Sequence, residues 1–157
     1  MRRSAGILLY RVVDGGAASR IEVLLGHMGG PFWARKDAGA WTIPKGEHEP
    51  DEDPLAAACR EFAEETGVSL PASDSVDLGE VRQSGGKVVR AWAVEGDLDA
   101  AALESNTFEM EWPPKSGMTE TFPELDQFEW FDLVTARSKI IAAQAEFLDR
   151  LVQRTTL

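Results

Sequence analysis

Apolar and polar positions change rhythm several times along this chain, and the changes predict its elements. Residues 6–13 and 21–27 are short runs rich in Ile, Leu and Val around Asp14-Gly15-Gly16, which predicts two strands about a turn. Residues 31–39 read as a loop, and Trp41-Thr42-Ile43 as a brief extended segment that Pro44 ends. Residues 54–66 predict a helix. Asp53 can cap it, Pro54 suits a first turn that needs no N–H, and Gly67 suits the left-handed position past its end. Residues 76–83 and 87–94 flank Ser84-Gly85-Gly86 as a β-hairpin would. Residues 108–112 alternate apolar and acidic side chains until Pro113-Pro114, 116–126 read as a loop, and 128–131 as a last short strand, with Trp112 and Trp130 expected in the strands and the core. From Asp132 onward the chain reads as helix to its end, with Leu148, Leu151 and Val152 on an apolar side. Mixed strands and helices without repeats predict one domain over 1–157, of α/β or α+β class, with helices covering a mixed sheet.

Composition adds one unusual quantity. Asp and Glu number 27 against 16 Lys and Arg, a net charge of −11 in 157 residues. Such a chain repels a polyanionic backbone, so bulk nucleic-acid binding through a basic face is not expected. The single cysteine, Cys59, excludes an intramolecular disulfide framework, and with two histidines a zinc site of the usual kinds is not expected. Arg2 and Arg3 resemble the start of a signal peptide, but the apolar run behind them is short and no small-residue cleavage site follows. No run approaches the roughly 18 apolar residues of a membrane span. The expectation is a cytoplasmic protein with no membrane partner.

The charge has a location. With Glu61 at zero on a helical wheel, Glu65 lies near 40° and Glu64 near −60°, while Leu55, Cys59, Phe62 and Thr66 fall between about 100° and 160°. The helix is thus expected to bury one side and to present three carboxylates on another. Like charges at this spacing cost a few tenths of a kcal/mol per pair. A glutamate-rich face is commonly just solvated, whereas a hard divalent cation would give these carboxylates a shared purpose. The loop upstream, Pro44-Lys45-Gly46-Glu47-His48-Glu49-Pro50-Asp51-Glu52, favours the cation. It offers Gly46 for close backbone approach and Glu52 at the helix entrance, where the dipole welcomes negative charge.

Taken together, Gly46, Glu52 and Arg60-Glu61-Phe62-Ala63-Glu64-Glu65-Thr66-Gly67-Val68 resemble the Nudix box, the loop–helix–loop signature of the Nudix hydrolases. No fixed position of that pattern is missed over residues 46–68. The flanking strands, hairpin and C-terminal helix are similar to the family's α/β/α sandwich. The resemblance implies hydrolysis of a nucleoside diphosphate linked to another moiety, with Mg²⁺, or Mn²⁺ as a substitute. It implies Glu61, Glu64, Glu65 and the Gly46 carbonyl as metal ligands, with Arg60 and Glu52 positioning the carboxylates. It also implies a glutamate base, which in this family sits either in the box, here Glu61 or Glu64, or on a later loop, here Glu124 or Glu120.

For the substrate, Lys45 is placed to contact a phosphate, and Trp33, Arg35 and Lys36 combine a stacking ring with two cations. The expected partner is a small nucleotide or polyphosphate, a nucleoside triphosphate or a dinucleoside polyphosphate before others. The sequence lacks the downstream proline of similar ADP-ribose pyrophosphatases and the tyrosine of many dinucleoside polyphosphate hydrolases. The Pro-Lys-Gly lead-in resembles dinucleoside and inositol polyphosphate members, so the subfamily stays open, as does the choice between monomer and homodimer. A nucleotide-sensing or protein-binding domain of the same build is the alternative. An EF-hand calcium loop is not, because its ligand order is absent.

Overall fold

The computed structural model describes residues 2–15, 18–71 and 73–155. Its strands are β1 (Arg3–Gly15), β2 (Ala18–Met28), β3 (Trp41–Thr42), β4 (Lys45–Glu47), β5 (Val76–Gln83), β6 (Lys87–Glu95), β7 (Thr107–Glu111), β8 (Thr119–Pro123) and β9 (Leu125–Asp132). The helices are α1 (Pro54–Thr66), α2 (Leu133–Lys139) and α3 (Ala145–Arg154). The last residue of the expected first turn, Gly16, lies outside the described residues.

The main sheet runs β3-β2-β1-β6-β5, with β4 paired to the start of β1 and β9 to β2. β1 and β6 are parallel, and the other pairs are antiparallel. Alternation along β1 assigns its side chains to two layers. Leu8 joins the cluster holding Val23, Val89, Phe147, Leu148 and Leu151, on the side of α2 and α3. Ile7 and Leu9 join Leu24, Ala57, Ala58 and Phe62, on the side of α1. The result is an α/β/α sandwich around a mixed sheet: the pattern predicts helices covering such a sheet, and the family resemblance implies the sandwich.

Three features depart from the sequence reading. The last helix is broken: Ile140 is extended, bridges Trp41 beside β3, and separates α2 from α3. Two adjacent β-branched residues suit that extended junction, and the sheet edge supplies the partner that helix propensity cannot foresee. The expected loop over 116–126 contains β8, which pairs with β7 in a separate two-stranded sheet. Trp112, expected in the core, instead packs edge-on against Phe32, whose ring is largely exposed.

Candidate active site

Local chemistry places α1. Asp53 accepts from the Ala56 N–H at 3.0 Å, Pro54 opens the helix, and Gly67 closes it with φ 80°. The buried arc of α1 is Ala57, Ala58, Glu61, Phe62, Glu65 and Thr66. Two of the three glutamates therefore lie inside the packed face, and Glu64 alone is exposed. This corrects the simple division into an apolar and a carboxylate face. Small Ala57 and Ala58 bring the helix close to β1, and β4 meets Glu61 from the side.

Gly46 in β4 makes that meeting possible. A Cβ there would stand 1.9 Å from Glu61 Oε2, so any other residue would displace the carboxylate. Arg60 gathers the acids on the outer side. Its Nε and Nη2 donate to the two oxygens of Glu52 at 3.0 and 3.1 Å, and its Nη1 donates to Glu61 at 2.9 Å and Glu64 at 3.3 Å. The bond to Arg60 holds the Glu52 carboxyl below its ordinary range. Burial, and then Glu64, push the Glu61 carboxyl upward.

Glu65 lies deeper. Burial, with Glu124 and Glu61 nearby, pushes its carboxyl up to about 8. Its Oε2 is buried without a hydrogen-bond partner, a costly state for a polar atom. Glu65 faces a cavity of about 340 Å³ whose wall includes Trp33, Lys45, Lys87 and Glu124. Burial, and then Lys87, lower the Lys45 ammonium from its ordinary value. Burial raises the Glu124 carboxyl, against the opposing pull of Lys45.

Glu124 is held opposite α1 by backbone bonds. The Gly29 N–H donates to its carbonyl at 2.9 Å, and its own N–H donates to Asn106 O, also at 2.9 Å. Asn106 in turn donates to the Glu64 carbonyl at 2.9 Å, which ties the segment to the end of α1. Glycine is needed at 29, where a Cβ would sit 1.9 Å from Pro123 O.

The structure thus brings Gly46, Glu52, Arg60, Glu61 and Glu64 into one network, and Lys45, Trp33, Glu65 and Glu124 into the adjoining cavity. It does not bring Glu120 there; that residue is exposed on β8 opposite Met110. Arg35 and Lys36 are exposed and absent from the cavity wall, although the Lys36 ammonium lies 5.1 Å from the Trp33 ring centre. Sequence reasoning passed over Lys87, Gln83 and Ser84, where the β5–β6 turn borders the cavity. A lysine directly after Gly85-Gly86 was the available signal. A second hollow of about 450 Å³ lies beside Arg2, Arg3 and His48, but its arginines already pair with Glu47, Glu80 and Glu52.

The donor set suits a hard divalent cation. Clustered carboxylates, the orphaned oxygen of Glu65 and the backbone approach at Gly46 are what such an ion would use. Among the described residues no three acidic or imidazole side chains already converge as a metal-holding group; Arg60 draws Glu61 and Glu64 toward itself instead. The chemistry of these donors fits such an ion.

An α/β/α sandwich with a loop–helix–loop carboxylate site defines a class. The sequence model of the family described as NUDIX domain matches residues 2–151, and the chain belongs to the Nudix family. Among curated relatives, an RNA pyrophosphohydrolase of Rhizobium meliloti (strain 1021) is 34% identical over 104 residues, 57% of each protein. An octanoyltransferase of Myxococcus xanthus is 34% identical over 102 residues, 65% of this chain and 25% of that protein. The chain thus spans from a quarter to somewhat over half the length of these relatives. In fold, it is similar to a C. elegans Ap4A hydrolase solved as a binary complex, with a TM-score of 0.64 at 22% identity, covering 98% of this chain and 96% of that one. No helix is long and apolar enough to cross a membrane, among the described residues.

Proposed function

We propose that this protein is a divalent-metal-dependent pyrophosphohydrolase of nucleoside polyphosphates or dinucleoside polyphosphates. One observation carries the reading. The buried, unpartnered Glu65, on the same helix as the Arg60-bound Glu61 and Glu64, borders a cavity that also holds two lysines, a tryptophan and the half-buried Glu124. Mg²⁺, with Mn²⁺ as a substitute, would supply charge neutralisation on the phosphates and a more acidic water. Glu61, Glu64, Glu65 and the Gly46 carbonyl would hold it.

The remaining steps belong to the chain. Lys45 and Lys87 line the same cavity and would bind phosphate oxygens. Trp33 offers a face for a base. Arg60 keeps Glu52, Glu61 and Glu64 from repelling one another apart. Glu124, which lines the same cavity and whose carboxyl burial raises, would take a proton from the attacking water. The names of the similar proteins, an RNA pyrophosphohydrolase and an Ap4A hydrolase, support the same chemistry.

The test is a panel of nucleoside triphosphates, dinucleoside polyphosphates, nucleotide sugars and capped RNA with Mg²⁺, read by phosphate release after coupling to pyrophosphatase and by product analysis. Turnover of a polyphosphate is expected. Tight nucleotide binding with no product from any substrate would overturn the enzymatic reading and leave a sensing domain.

A further inference from the structure

We propose that His27 is a positioning residue: a proton shared with Asp126 clasps the Trp33 loop to the strand segment that carries Glu124. His27 is in β2, with its side chain only 10% exposed. Its Nδ1 lies 2.7 Å from Asp126 Oδ1, and its Nε2 lies 2.6 Å from the Lys36 carbonyl oxygen. A carbonyl oxygen only accepts, so Nε2 must donate. A carboxylate also only accepts, so Nδ1 must donate as well, unless the carboxyl itself carries the hydrogen. Either way the arrangement holds one proton more than a neutral imidazole and a carboxylate. Without it, a nitrogen lone pair of a ring only 10% exposed faces an acceptor oxygen, and one contact has to open.

The backbone is arranged for this contact. β9 pairs Gln127 with His27 and then Leu125 with Met28. Asp126 is the extra residue of that bulge, and bulges re-aim side chains. On the other side, the Lys36 N–H donates to Trp33 O at 3.0 Å, so the carbonyl that His27 holds ends the turn carrying Trp33. The clasp therefore joins two walls of the cavity. The surrounding groups do not supply a substitute proton. Trp41 stands edge-on to the imidazole at 5.2 Å, Asp37 accepts from Trp41 and pairs with Lys139, the Lys36 ammonium lies over Trp33, and Gln127 bonds Glu129.

The experiment uses the whole chain and follows hydrogen-exchange protection factors of residues 30–40 over a pH series in which nitrogen NMR of the His27 ring reads its protons. In the unaltered protein, protection is expected to fall by roughly 10- to 100-fold as the shared proton leaves. Asp126→Asn is expected to stay protected throughout, because its amide donates to an unprotonated Nδ1 while Nε2 still donates to Lys36. Asp126→Ala is expected to be weakly protected throughout. Asp126 is partly exposed, so these variants leave the core intact. Protection in the unaltered protein that stays the same as the ring loses its second hydrogen, or an Asp126→Asn profile that tracks the unaltered one, overturns the proposal. A kinetic arm rests on the proposed activity: KM rises over the same pH span in the unaltered protein and not in Asp126→Asn, with kcat moving less. If no nucleotide is turned over, that activity fails, and the exchange profiles still decide the clasp.

Discussion

At the scale of single residues, Glu65 and Glu64 play opposite parts although one peptide bond joins them. Glu65 is buried and raised to about 8 from 4.5, so the fold favours its protonated form. Its contribution to stability is complete below about pH 4.5 and is lost as pH rises toward 8. Protein stripped of metal by a chelator is therefore expected to melt at progressively lower temperature across that span. Added Mg²⁺ should restore most at the alkaline end, where the carboxylate is ionised, and a series of thermal melts with and without the ion checks both trends. Glu64 has a side chain 44% exposed and only a 3.3 Å contact to Arg60, so Glu64→Gln should cost under about 0.5 kcal/mol of stability. Turnover should nevertheless fall by at least about 100-fold. An unchanged rate with an unchanged melt would remove Glu64 from the site.

At the scale of elements, α1 was the most legible part of the chain. Its limits, Pro54–Thr66, coincide with the expected ones because the start and stop signals are local: an Asp side chain reaching its third neighbour and a glycine at positive φ. Asp53→Ala should lower stability by about 1 kcal/mol, a drop of roughly 2–4 °C in Tm, measurable by calorimetry. The arc that α1 buries was not legible, since a wheel cannot tell that β4 arrives with a glycine against Glu61. β8 was missed for a related reason. Its pairing partner β7 is supplied from a distance, and Thr119–Pro123 has no strong alternation of its own. His27 also looked unremarkable, because its two partners come from positions 9 and 99 residues away.

At the scale of the whole molecule, one buried amide ties the C-terminal layer to the sheet. Gln144 is fully buried, accepts from the Ile43 N–H at 3.1 Å and donates to Gln83 at 2.9 Å, with Thr42 alongside. Gln144→Leu leaves the Ile43 N–H without a partner beside the candidate site, and should cost about 1–3 kcal/mol in denaturant unfolding. The charge also acquires a meaning at this scale. Residues 47–65 hold eight acidic side chains and one basic, a net −7 of the total −11. The excess is concentrated where an ion and a polyphosphate would meet, and the rest of the molecule carries only −4.

The amino-acid sequence by itself determined that helices cover a mixed sheet, the limits of α1 and the set of box residues, because capping, alternation and fixed spacing act over a few neighbouring positions. Tertiary structure alone decided that Glu65 is buried without a partner, that Glu124 rather than Glu120 faces it, and that Lys87 joins Lys45. It also decided that His27 bridges Lys36 and Asp126. Each of these depends on backbone segments far apart in the chain approaching within a few ångströms, which the packing of α1 on β1, the glycines at 29 and 46 and the bulge at Asp126 bring about.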